Sequence, residues 1–177
     1  MATSPSLLML VALLLALSSP AALASSGGEK RTHIRVYVHE QFSGPYATVQ
    51  TVAQSPLGEN STFGEVGVVD DVLRAGPGAS SVEVGRYQGL FAGADVADAN
   101  YFAAITLVFT AGEHRGSTLS LQGKYTFPDD NVLERAVVGG TGRLRMARGF
   151  SLLKVVSTPP EAAVFQLDVF VFTPRRH

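Results

Sequence analysis

The chain has 177 residues, a formal net charge of -1, 46% hydrophobic and 16% charged residues, and no cysteine. That length points to one domain, the charge gives no electrostatic basis for binding nucleic acid or an anionic membrane, and the hydrophobic content is too high for a disordered chain. With no disulfide available, stability must rest on a packed core.

The first feature in chain order is a leader. Residues 7–17 form an apolar run, Ser18-Ser19-Pro20 breaks it, and Ala22-Leu23-Ala24 puts small residues where a signal peptidase needs them. The run is shorter than the roughly 20 residues that span a bilayer. Residues 1–24 are therefore read as a signal peptide cleaved after Ala24, with an n-region that lacks Lys and Arg. Residues 25–31 read as a flexible tail, and the folded domain is expected over residues 32–173. Asn60-Ser61-Thr62 is an N-glycosylation sequon in a turn-like stretch, which makes Asn60 a candidate glycan site in a secreted chain.

From Thr32 onward, short runs rich in Val, Phe, Thr and Tyr alternate with Gly, Pro, Asn and Asp clusters, and no apolar set recurs at helical spacing. This predicts an all-β domain. Strands are expected at 32–42, 47–53, 63–70, 82–91, 101–110, 117–125, 134–138, 143–156 and 164–172. Eight or nine strands at such spacing fit a sandwich or a closed barrel, and periodicity alone does not separate the two.

In the first strand, Ile34, Val36, Val38, Glu40 and Phe42 share one face, while His33, Arg35, Tyr37, His39 and Gln41 share the other. Glu40 thus follows an apolar, inward series. It is either an acid or hydrogen-bond acceptor inside the domain or a rim residue beyond the strand's end. His33 and His39 lie about 20 Å apart on an extended strand, too far to share a metal. Asp70 and Asp71 are expected to close the third strand, one facing the cavity mouth and one serving a turn, with Asp70 assigned to the cavity. In residues 101–110 both faces are apolar, which calls for a partner on the outer one and points to an oligomer.

Late in the chain, VVGGTGRLRMARGF (residues 137–150) has apolar residues and arginines at a two-residue period. Read as a strand, it puts Leu144, Met146, Arg148 and Phe150 on one face and Arg143, Arg145 and Ala147 on the other. Arg148 is then either an interior cation near Glu40 or half of a structural ion pair. The chain has no GxSxG elbow, phosphate loop, zinc-ligand spacing or flavin fingerprint, so no oxidising centre or cofactor is expected.

This last stretch, with YVHE (37–40), FGEVGVVDD (63–71), VGRYQG (84–89) and LVFTAGEHRGSTLSLQG (107–123), resembles the plant dirigent proteins, five blocks in that family's order. The resemblance implies a single eight-stranded antiparallel β-barrel, secreted to the apoplast and assembled as a homo-oligomer, a trimer or dimer. It implies a protein that binds phenoxy radicals made by a separate laccase or peroxidase and directs their coupling in lignan biosynthesis and defence. Glu40, Arg148 and Arg135 are then candidate catalytic residues, and Asp70, Tyr87, Phe91 and Tyr125 candidate substrate contacts. Three positions depart from the family pattern. Glu40 stands where Asp is usual. Tyr125 stands for an Asp and Leu133 for an Arg, and Arg135, two residues on, keeps the face of Leu133 in a strand. Two other roles remain open: a barrel enzyme that catalyses a cyclisation or dehydration by general acid, as the architectural likeness to allene oxide cyclases suggests, and a wall-located factor that organises lignin deposition.

Overall fold

The computed structural model describes residues 28–126 and 132–175. All nine expected strands are present: β1 Glu29–Gln41, β2 Val49–Ala53, β3 Val66–Arg74, β4 Glu83–Gly93, β5 Tyr101–Phe109, β6 Thr118–Tyr125, β7 Val132–Gly140, β8 Arg148–Ser157 and β9 Ala162–Pro174. Neighbours pair antiparallel in the order β1-β9-β8-β7-β6-β5-β4-β3-β2. A further β1–β3 pairing, from Tyr37 opposite Arg74 to His39 opposite Val72, closes eight strands into a barrel. The choice between sandwich and barrel is thereby settled. The short β2 is an addition that lies along the first half of β3.

The seam between β1 and β2 positions the site. β1 leaves β3 after His39, the chain makes an excursion, and β2 resumes the pairing at Val49 opposite Val69. Thr48 bridges the gap: its N–H donates to the Gln41 carbonyl at 2.7 Å, and its own carbonyl accepts from the Asp70 N–H at 2.8 Å. The wall therefore stays hydrogen-bonded where the strand is broken.

Strand alternation sends every second side chain inward. One end of the barrel is filled by Ile34, Leu107, Leu119, Val169 and Val171, all in the buried core. Each such side chain contributes about 1.5–3 kcal/mol of transfer free energy. The other end carries the polar interior residues.

Two boundaries differ from the sequence reading. β1 begins at Glu29, so Glu29 to Arg31 belong to the wall and not to a tail. Residues 143–147 are not strand. Gly142, at φ +58°, starts a short 3-10 turn over Gly142–Leu144, and Met146 adopts φ 60°. The period-two parity is lost there: Leu144 and Ala147 are buried while Met146 is 72% exposed. The signal peptide read over residues 1–24 and the turn read over 128–131 lie outside the described residues.

Candidate functional site

At the seam end, residues of β1 to β6 line a cavity of about 130 Å³. Its apolar wall is Val49, Val69, Phe91, Ala103 and Ile105, and its polar groups come from Glu40, Tyr87 and Tyr125. Phe91 stands opposite Gly67 in the β3–β4 register. A Cβ at Gly67 would meet the Phe91 ring at 2.0 Å, so the missing side chain is what lets the ring lie against the wall. Tyr101 holds the other side of that ring edge-on, with centroids 5.5 Å apart.

Beside the cavity is Asp71, the carboxyl that the sequence reading left to a turn when it assigned Asp70 to the cavity. β3 does not end at Asp70 but runs on to Arg74, so Gly67, Val69, Asp71 and Leu73 face inward. Asp71 is fully buried, directly across from Tyr87. The Thr48 hydroxyl donates to its Oδ1 at 2.5 Å, while Oδ2 is buried without a hydrogen-bond partner. Burial pushes its pKa up to about 8, against the opposing pull of the Thr48 hydrogen bond and with help from the nearby Glu40 charge. At neutral pH Asp71 is thus mostly a protonated acid, able to donate. Glu40 lines the cavity, and its pKa is also raised by burial.

Arg135 lies on the same inward face of β7 as Leu133 and Val137 and is 1% exposed. Its guanidinium sits over two rings, 5.6 Å from the Tyr87 centroid and 5.7 Å from that of Tyr125. The Tyr87 hydroxyl is within its electrostatic influence, yet no guanidinium nitrogen meets a partner with hydrogen-bond geometry. Gly123 makes room for the arginine stem, with Arg135 Cγ 3.3 Å from where its Cβ would be. Burial raises the pKa of both tyrosines, so both hydroxyls keep their protons. The cavity end therefore combines a permanent cation, two phenol hydroxyls, a protonated Asp71 and Glu40. Such a set can hold a phenolic oxygen and deliver a proton to a carbon or oxygen of a bound aromatic.

Two assigned residues are elsewhere. Asp70 points outward, where Arg86 Nε and Gln88 Nε2 donate to its Oδ1 at 2.8 and 3.0 Å and the Arg86 pairing lowers its pKa. The strand continues through it, so its neighbour has the inward parity. Arg148 is the first residue of β8 and also outward: it pairs with Glu29 and lies over the Phe172 ring at 5.7 Å. The turn at residues 142–147 resets the parity that had made it an interior cation. Glu40, Tyr87, Phe91, Tyr125 and Arg135 are brought together as a group. Asn60 is exposed in the β2–β3 connection.

The barrel is closed, with one packed end and an aromatic, acid-bearing cavity at the other. The family model for dirigent-like proteins matches residues 31–172, and the chain belongs to that family. It is 38% identical over 146 residues to dirigent protein 1 of Arabidopsis thaliana, covering 81% of this chain and 80% of the relative. It is 37% identical over 149 residues to pterocarpan synthase 1 of Glycyrrhiza echinata, covering 81% and 79%. Among solved structures, a pterocarpan synthase dirigent protein superposes with a TM-score of 0.75 at 36% identity, covering 84% of this chain and 88% of that one.

Proposed function

We propose that the chain is a secreted dirigent protein that seats phenoxy radicals, made by a separate laccase or peroxidase, and fixes the face on which they couple. The observation that carries this reading is a cavity of about 130 Å³ lined by an acid, Glu40, and two tyrosines whose rings the Arg135 guanidinium underlies. An apolar cavity of about 150 Å³ holds one benzene, so the site suits a single phenol ring, with the propenyl arm at the mouth. The oxidase removes one electron from each phenol, and the two unpaired electrons form the new bond. The barrel supplies orientation and, from Asp71 or Glu40, a proton to the quinone methide carbonyl; a hydroxyl closes on the methide carbon and passes its proton to the carboxylate left behind. Export by the leader, glycosylation at Asn60 and assembly through the outer face of β3–β4–β5, where Val68, Leu90 and Phe102 are 42%, 43% and 41% exposed, belong to the same proposal.

A second reading has its own support. A carboxyl held protonated at neutral pH is what a cyclase or dehydratase needs, and two solved relatives are pterocarpan synthase dirigent proteins at 36% and 35% identity. Incubating the protein with coniferyl alcohol, with and without laccase, and resolving the products on a chiral column separates the two readings. Optical activity that needs the oxidase supports coupling control. A racemic product with laccase, together with conversion of the phenol without any oxidant, supports the enzyme.

A further inference from the structure

The opposite end of the barrel carries a second concavity that the phenol site does not use. It is an open basin of about 570 Å³, within the range of ligand sites. Its four cations come from three separate segments: Lys30 from the start of β1, Arg143 and Arg145 from the β7–β8 connection, and Arg175 after β9. All four are exposed. Glu113 is the one carboxylate among the described residues that line the basin, and Lys30 already engages it at 3.6 Å. In a chain of net charge -1, this concentration of positive charge is local.

The turn that broke the strand pattern explains how it forms. Leu144 turns inward to close the barrel end and is 2% exposed, so its two neighbours, both arginines, project from the closed end. The GRLR segment thus combines a plug with a pair of guanidinium forks suited to planar oxyanions.

Neutral hydrogen-bonding groups line the same basin. Thr32, Thr173 and His114 lie among the cations. Burial, the largest influence, lowers the His114 pKa, which keeps the imidazole neutral at pH 7.

We infer that this basin is an anion-binding site for an acidic polysaccharide, a polyuronate chain whose carboxylates meet the arginines and whose hydroxyls meet the threonines and His114. Cations spread around a broad mouth fit several anionic groups in series better than one compact ion. A mix of cations and neutral polar groups fits a sugar acid better than a stretch of acidic peptide. The site lies at the barrel end remote from the phenol cavity, so it would tether the protein without occupying its reactive end.

The test is calorimetric titration of the purified protein with oligogalacturonate, its fully methyl-esterified form, poly-glutamate and inorganic phosphate. The expected result is salt-sensitive binding of oligogalacturonate, none of the methyl ester, and a loss of roughly tenfold or more in an Arg143→Gln/Arg145→Gln variant that melts like the parent. Lys30→Gln, on an exposed side chain of the same rim, is the second variant should the double substitution fail to fold, and it is expected to weaken binding severalfold. No binding of oligogalacturonate, or binding unchanged in a folded variant, overturns the site. Equal or tighter binding of poly-glutamate or phosphate overturns the polyuronate assignment.

Discussion

Thr48 donates to Asp71 across the seam where β1 gives way to β2, and this bond ties the barrel's closure to its most perturbed acid. The same threonine links the backbones of both flanking strands through Gln41 and Asp70. The excursion after β1 is thus what delivers a hydroxyl to Oδ1, while Oδ2 has no partner. An acid held this way is fixed in place and kept neutral by burial.

Asp71→Asn should stabilise the protein increasingly as pH rises. The folded pKa, about 8, lies above the ordinary 3.8, so the folded state holds a proton that the unfolded chain has lost between those values. Stability contributed by this group is full below about pH 4 and declines as pH climbs toward about 8. Asparagine keeps the acceptor for Thr48 and removes the titration. The gap between variant and parent should grow to the order of a few kcal/mol at pH 8 and vanish near pH 4, as read from urea unfolding across that range. A gap independent of pH would mean that Asp71 is ionised in the fold.

Glu40→Gln should lower the enantiomeric excess of coupling while leaving the melting temperature unchanged or higher. The side chain lines the cavity and its pKa is raised by burial alone, so the amide removes a desolvation cost while keeping the volume. Chiral chromatography alongside thermal melting checks both halves. Lost stability with full stereocontrol would make Glu40 a structural residue.

The inward series Ile34, Val36, Val38, Glu40 was legible because β1 is regular to its end, so parity carried the reading to the acid. Tyr87, Phe91 and Arg135 were legible for the same reason. Where the chain changes parity, the sequence misled. Asp70 and Asp71 look like a turn, since paired acids favour one. The Val72 and Leu73 that follow were the available sign that β3 continues and that Asp71 faces in. Arg148 was misplaced because alternation in RLRMARG imitates a strand, whereas Gly142 and Met146 take positive φ and insert a turn. The excursion that brings Thr48 to Asp71 joins residues 23 apart in sequence, a contact that no local pattern encodes.

Phe102→Glu should favour the monomer. Phe102, Leu90 and Val68 form an apolar strip on three adjacent strands, and a charge at its edge sets desolvation against association. Sedimentation at micromolar concentration should show an oligomer for the parent, insensitive to reductant because there is no cysteine, and a lighter species for the variant. A monomeric parent would exclude assembly through this face at that concentration.

Arg135→Leu should weaken phenol binding by roughly 1.5–3 kcal/mol, the range for a hydrogen bond to a charged group, without lowering stability. Arg135 is 1% exposed, and its guanidinium acts on the Tyr87 hydroxyl without any of its nitrogens reaching a partner in full hydrogen-bond geometry. It lies over the faces of Tyr87 and Tyr125, 5.6 and 5.7 Å from their centroids. A buried cation so thinly compensated costs the fold more than leucine would, which leaves ligand binding as the role that repays it. Calorimetric titration with coniferyl alcohol, paired with urea unfolding, reads the two effects separately. If stability drops while binding holds within about 0.5 kcal/mol, the arginine serves only as a brace between the two rings. If binding alone falls, and lysine at the same position restores part of it, the positive charge beneath the tyrosines acts on the phenolic oxygen.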